Sequence, residues 1–182
     1  MLVRLRCDIA DTFQRLRRLG RETRGVAAVE FALILPILIT AYLGTVEVTN
    51  AVMANRKMTA TTSALGDLAA QAQVLTDNDV TNVFNAATAT MQPFSTASLQ
   101  MRVTQLRING GVARVAWSEA RGGLAPLAVG AVFNGVPAAL MPLDPQATQY
   151  LIYSEVRYAY TSPIGNLLIG AMNMSESFWL RP

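Results

Sequence analysis

The sequence predicts an α+β protein in which a long N-terminal transmembrane, pilin-like helix precedes a small antiparallel-sheet domain. Three observations predict it. Residues 26 to 46 form an apolar run whose only ionisable side chain is Glu30, which suits one membrane-length helix. An Asn109-Gly110 pair stands between two apolar stretches, the signature of a tight hairpin. A run from Tyr150 to Tyr160 alternates with period two, as a strand does. The 182 residues divide into 52% hydrophobic and only 15% charged side chains, so part of the apolar sequence serves something other than an ordinary core.

The chain opens with a basic segment. Seven arginines against Asp8, Asp11 and Glu22 give residues 1 to 24 a formal charge of +4, and the remaining eight basic and nine acidic residues leave −1. A nearly neutral body does not carry the electrostatic footprint of a nucleic-acid binder. At about 1.5 Å per residue the following apolar run spans roughly 31 Å, the thickness of a hydrocarbon core. Arginines crowd its amino-terminal side and only Arg56 and Lys57 follow soon after, so the positive-inside rule keeps residues 1 to 24 cytoplasmic and exports the remainder. Pro36 deletes a backbone donor inside this helix and predicts a kink there.

From Asn50 to Gln73 the composition turns small and polar, with Leu65, Leu68, Ala69, Ala72 and Leu75 at three- and four-residue steps, an amphipathic continuation of the membrane helix. Gly66 and the threonines from Thr59 to Thr62 weaken helix propensity and allow a bend. Thr76, Asp77, Asn78 and Asp79 offer caps for a second helix with Val80, Val83, Phe84, Ala87 and Met91 on one side, ended by Pro93.

Leu99, Met101 and Val103 then alternate. The phase slips near Gln105, so that Leu106 and Ile108 fall together, and the slip predicts a bulge. The turn Asn109-Gly110-Gly111 leads into Val112, Val115 and Trp117. Residues 120 to 147, rich in glycine, proline and alanine, predict an irregular connection with a short helix near Pro137 to Met141. The third strand sets Tyr150, Ile152, Val156, Tyr158 and Tyr160 on one face and Glu155 and Arg157 on the other, and Ser177 to Leu180 forms a final edge strand. Tyr150, Tyr153, Tyr158, Tyr160, Phe178 and Trp179 read as packing residues rather than a binding face.

Enzyme chemistry finds little support. There is no histidine, and Cys7 is the single cysteine, which removes the commonest metal ligands and general bases. No Walker loop, dinucleotide fingerprint, Cys-x-x-Cys or Gly-x-Ser-x-Gly elbow occurs. Asp77 and Asp79 suit helix caps better than a cation site, and Glu119, Asp144, Glu155 and Glu176 show no spacing that pairs them. The sequence therefore predicts no enzyme, no cofactor and no metal site.

The membrane junction is more specific. Arg21-Glu22-Thr23-Arg24-Gly25 is followed by Val26-Ala27-Ala28-Val29-Glu30-Phe31 and then by apolar residues through Pro36 and Tyr42. This order resembles a type IV prepilin processing site, in which prepilin peptidase cuts after the glycine and the mature chain keeps a glutamate at its fifth position. The resemblance places the cut between Gly25 and Val26, discards Cys7 with the leader, and assigns Glu30 and Phe31 to filament assembly. A cut there frees an amine on Val26 one helical turn from the Glu30 carboxylate. A lone carboxylate in the apolar layer costs on the order of 3 kcal/mol, so it seeks a cation such as the amine of an adjacent subunit.

Further motifs narrow the likeness: Arg56-Lys57-Met58, the stretch from Thr62 to Gln71, Met91-Gln92-Pro93-Phe94, Trp117-Ser118, Glu155 to Tyr160, and the closing Arg181-Pro182. Together they resemble TadE/TadG-like pseudopilins of the Tad (Flp) type IV pilus system. That resemblance implies a minor pilin acting in pilus assembly or priming. Its partners would be prepilin peptidase, other pilin and minor pilin subunits, the inner-membrane assembly machinery and the membrane itself, with no nucleic acid. The organisation it implies is a cytoplasmic leader over 1–25, a hydrophobic helix with its amphipathic extension over 26–75, and an exported α+β domain over 76–182. Two alternatives share much of this sequence. An uncleaved signal-anchored periplasmic binding module would retain residues 1 to 24, and a secreted factor cut after Val52-Met53-Ala54 would begin near Asn55, although Glu47 separates that site from the apolar run.

Overall fold

The computed structural model describes residues 23–72, 74–144, 146–162 and 170–182. All but the last three residues of the expected leader lie outside that set. The element order is α1 (Thr23–Gln71), α2 (Asp77–Thr90), β1 (Leu99–Asn109), β2 (Val112–Arg121), a short 3-10 turn (Ala138–Leu140), β3 (Gln149–Tyr160) and β4 (Met172–Leu180). The protein is thus α+β, with one long apolar helix and a four-stranded antiparallel sheet of order β2-β1-β3-β4. The chain divides into two compact units, up to Val46 and from Glu47 to Pro182.

In the first unit α1 remains helical through Pro36. Hydroxyls of Thr40 and Thr45 donate back to the carbonyls of Pro36 and Ala41 at 2.8 and 2.9 Å, giving polar groups in an apolar segment a local partner. Every residue from Gly25 to Tyr42 is exposed.

In the second unit the rest of α1 lies on one face of the sheet. Its buried stripe is Glu47, Ala51, Ala54, Met58, Thr61, Thr62, Leu65 and Ala69. The sequence shows this stripe only from Leu65 onward, because alanine and threonine at the earlier positions give a weak apolar signal. The helix continues past Gly66 to Gln71. Glycine is needed there for contact: a Cβ would collide with Leu180 Cδ1 and stand 3.0 Å from the Ser154 hydroxyl.

Thr76 caps α2 in a reciprocal box, its hydroxyl facing the Asp79 amide while the Asp79 carboxylate accepts from the Thr76 amide at 3.0 Å and hydroxyl at 2.7 Å. These bonds hold the Asp79 carboxyl below its ordinary pKa. Phe84, Ala87 and Met91 enter the core, and the Thr61 and Thr90 hydroxyls meet at 2.6 Å between the two helices.

The hairpin turns at Gly110 and Gly111, both at positive φ. Its bulge falls where the sequence places it, but the extra residue is Ala116 on β2, between Val115 opposite Leu106 and Trp117 opposite Gln105. Pairing of β1 with β3 is unbroken from Leu99 opposite Tyr158 to Ile108 opposite Gln149. The apolar phase of β1 changes because the strand is buried on different faces along its length. Leu99, Met101 and Val103 pack under the helices, and Leu106 and Ile108 pack behind the sheet.

That second core is what residues 120 to 147 build. Irregular as expected, they nevertheless cover the back face with Leu127, Phe133, Val136, Leu140 and Met141. Phe133, Tyr153 and Trp179 form a ring cluster with centroids 4.6 to 5.8 Å apart. Tyr153, Tyr158, Tyr160 and Trp179 are packing residues as expected, whereas Tyr150 at 43% exposure and Phe178 at 39% are not. Strand β4 begins at Met172, five residues before its expected start, because pairing with β3 supplies what the local propensity of Asn173-Met174-Ser175-Glu176 lacks.

Candidate functional site

Gly25, Val26, Glu30, Phe31 and Pro36 all lie on α1, inside its unbroken run, with Val26 and Phe31 57% and 60% exposed. Positions 26 and 30 are one turn apart on one helix face. Exposure of apolar residues throughout 25–42 is consistent with a segment that lipid or other helices cover. The helix is long and apolar enough to cross a membrane, with a mean hydropathy of 2.2 in its most apolar window.

Gly25 stands out within this segment. Apart from its chain neighbours and the helix's own backbone, no described residue lies within 4 Å of where its Cβ would be. A glycine inside a helix costs roughly 1 kcal/mol relative to alanine, and here no close approach compensates. Among the described residues no packing contact requires a glycine at this position.

The residue that sequence reasoning passed over is Glu47. It is 1% exposed, at the start of the second unit, and accepts a hydrogen bond from the Ser162 hydroxyl. Tyr160 lies beside it with a buried hydroxyl that has no hydrogen-bond partner among the described residues. Burial, and then the Glu47 charge, push the Tyr160 phenol above its ordinary pKa. Glu47 and Ser162 are 115 positions apart, a separation at which sequence periodicity carries no information.

The back face carries a second buried carboxylate. Glu155 pairs with Arg102 and with Arg157, the latter at 2.7 Å, while Arg102 also donates to the Ala125 carbonyl at 3.2 Å. This arrangement pins the irregular connection to the sheet. Burial, followed by the Glu155 charge, raises the Tyr153 pKa.

Residues 25–65 match the family model of TadE-like proteins. The TadE-like segment begins at Gly25 and contains Val26, Glu30, Phe31 and Pro36, together with every residue of the buried helix stripe except Ala69. Comparison with curated proteins and with solved structures gives no match.

Proposed function

We propose that this protein is a minor pilin or pseudopilin that acts in assembly or priming of a Tad (Flp) type IV pilus after prepilin peptidase cuts it between Gly25 and Val26. The observation that carries the reading is the glycine itself. Among the described residues nothing packs against it, it is the first residue of the TadE-like match, and it directly precedes the exposed apolar segment. A peptidase that needs a residue without a side chain at its cleavage subsite accounts for a glycine that packing does not require.

In this reading the leader is cytoplasmic, α1 anchors the subunit in the inner membrane, and the sheet domain is periplasmic until the subunit enters a filament. Phe31 and its apolar neighbours pack against other pilin helices. Glu30, whose charge is expensive among them, pairs with the new amine at Val26 of an adjacent subunit, which sets the axial step. The subunit does its work by assembly and not by catalysis.

The test is the mass of the mature amino terminus, measured on protein isolated from its native membrane. A chain beginning at Val26 is expected. Retention of residues 1 to 24 would replace this reading with an anchored module, and a start near Asn55 would replace it with a secreted factor.

A further inference from the structure

One end of the helix-bearing face of the sheet is not covered by α1. There Arg114, Arg107 and Tyr150 stand in one row across β2, β1 and β3, Arg107 being directly opposite both of the others. Directly opposed residues share a face, and all three are exposed. They line a cavity of about 750 Å³ with Gln105 and Asn109, and among the described residues no acidic side chain contributes to it.

Two arginines opposite each other repel, and arginine does not relieve repulsion by losing its proton. A neighbouring carboxylate would normally offset this. Among the described residues the ion pairs are those of Glu155 with Arg102 and Arg157, on the other face, so neither Arg107 nor Arg114 has one. The Arg114 guanidinium is also held in place, donating to the Gly130 carbonyl at 3.1 Å.

Charges on an outer strand often serve to prevent edge-to-edge pairing. That explanation is weak here. The outer edge of β2 is already occupied by the segment around Ala131: Val115 donates to Ala131, Phe133 donates to Ala113, and Gly130 donates to Val115. Arg107, moreover, is on an interior strand.

We propose that Arg107, Arg114 and Tyr150 form a binding site for an oxyanion, the carboxylate or phosphate group of a ligand. The two guanidinium forks would supply charge-assisted hydrogen bonds, and the Tyr150 hydroxyl a further donor. The amides of Gln105 and Asn109 line the same cavity and would contact the rest of the ligand. This site is independent of the membrane helix and of the pilin reading.

The test uses the full chain, nitrogen-15 labelled, in nonionic detergent at low ionic strength. Inorganic phosphate, acetate, and chloride at matched ionic strength are titrated separately. Saturable shifts of the Arg107 and Arg114 side-chain signals with phosphate or acetate, and not with chloride, are expected. A response to phosphate alone supports a phosphate-bearing ligand, and a response to acetate supports a carboxylate. Arg107→Gln and Arg114→Gln should each weaken binding about tenfold.

Thermal unfolding supplies a second readout. Phosphate should raise the midpoint of the wild type but not of R107Q, and R107Q without added anion should be at least as stable as the wild type. Shifts that chloride reproduces, or that survive both substitutions, would overturn the proposal. So would a destabilised R107Q combined with a wild type that phosphate leaves unchanged, since both arginines would then be structural.

Discussion

Gly66 of the long helix lies against Ser154 at the centre of the sheet, close enough that a Cβ on the glycine would stand 3.0 Å from the serine hydroxyl. The same hydroxyl donates to the carbonyl of Thr62 at 2.9 Å, one turn earlier on the helix. A small residue on each element brings the backbone of α1 down to the sheet, and a buried polar bond fixes its position along the strand. Gly66→Val should therefore destabilise the second unit by about 1–3 kcal/mol, the range for overpacking a filled contact. Chemical denaturation of the full chain in detergent, followed by near-ultraviolet dichroism, checks it. An unchanged midpoint would mean that the helix does not sit this close.

Glu155 is buried between two arginines, so removing Arg102 leaves a carboxylate with one half-exposed partner. Arg102→Met should cost about 3 kcal/mol, the lower end for breaking a buried pair, because Arg157 remains. Adding Glu155→Gln to that variant should recover part of the loss. A double-mutant cycle on unfolding free energies measures the coupling.

The cap of α2 predicts a pH dependence. The Asp79 carboxyl is held below its ordinary pKa first by the Thr76 hydroxyl and then by the Thr76 amide. Its folded pKa being depressed, its stabilising contribution is present above the unfolded aspartate value and is lost as pH falls through the folded one. The midpoint difference between wild type and Asp79→Ala should be full near neutrality and should vanish in strong acid. A difference that persists below the folded pKa would show that the cap works without its charge.

At the membrane junction two substitutions separate processing from assembly. Gly25→Phe should fold normally, since no described residue packs against the position, yet remain uncut. Glu30→Ala should be cut normally and fail to enter filaments, because only the assembled state needs a partner for the Val26 amine. Immunoblots of cell fractions and of sheared filaments distinguish these outcomes. A Gly25→Phe chain of mature length, or an Glu30→Ala chain recovered from filaments at the wild-type level, would contradict the assigned roles.

What could be read from the sequence alone was whatever depends on near neighbours. The apolar run after Gly25, the capping residues before Val80, the Asn109-Gly110 turn and the alternation from Tyr150 to Tyr160 are each set by residues in one continuous stretch of chain. Helix, turn and strand preferences act over that range. The place of the bulge was legible too, since a change of apolar phase marks it. Which strand holds the extra residue was not, because that depends on the partner strand.

Tertiary structure decided the rest. Leu106 and Ile108 face away from the helices because the connection between β2 and β3 folds back to cover them, and a glycine- and proline-rich stretch gives no local sign of doing so. The burial of Glu47 beside Ser162, and of Glu155 between Arg102 and Arg157, follows from which elements pack together. A charge is buried when partners arrive from elsewhere to compensate its lost hydration, and those partners come from strands and loops that only the folded chain brings near.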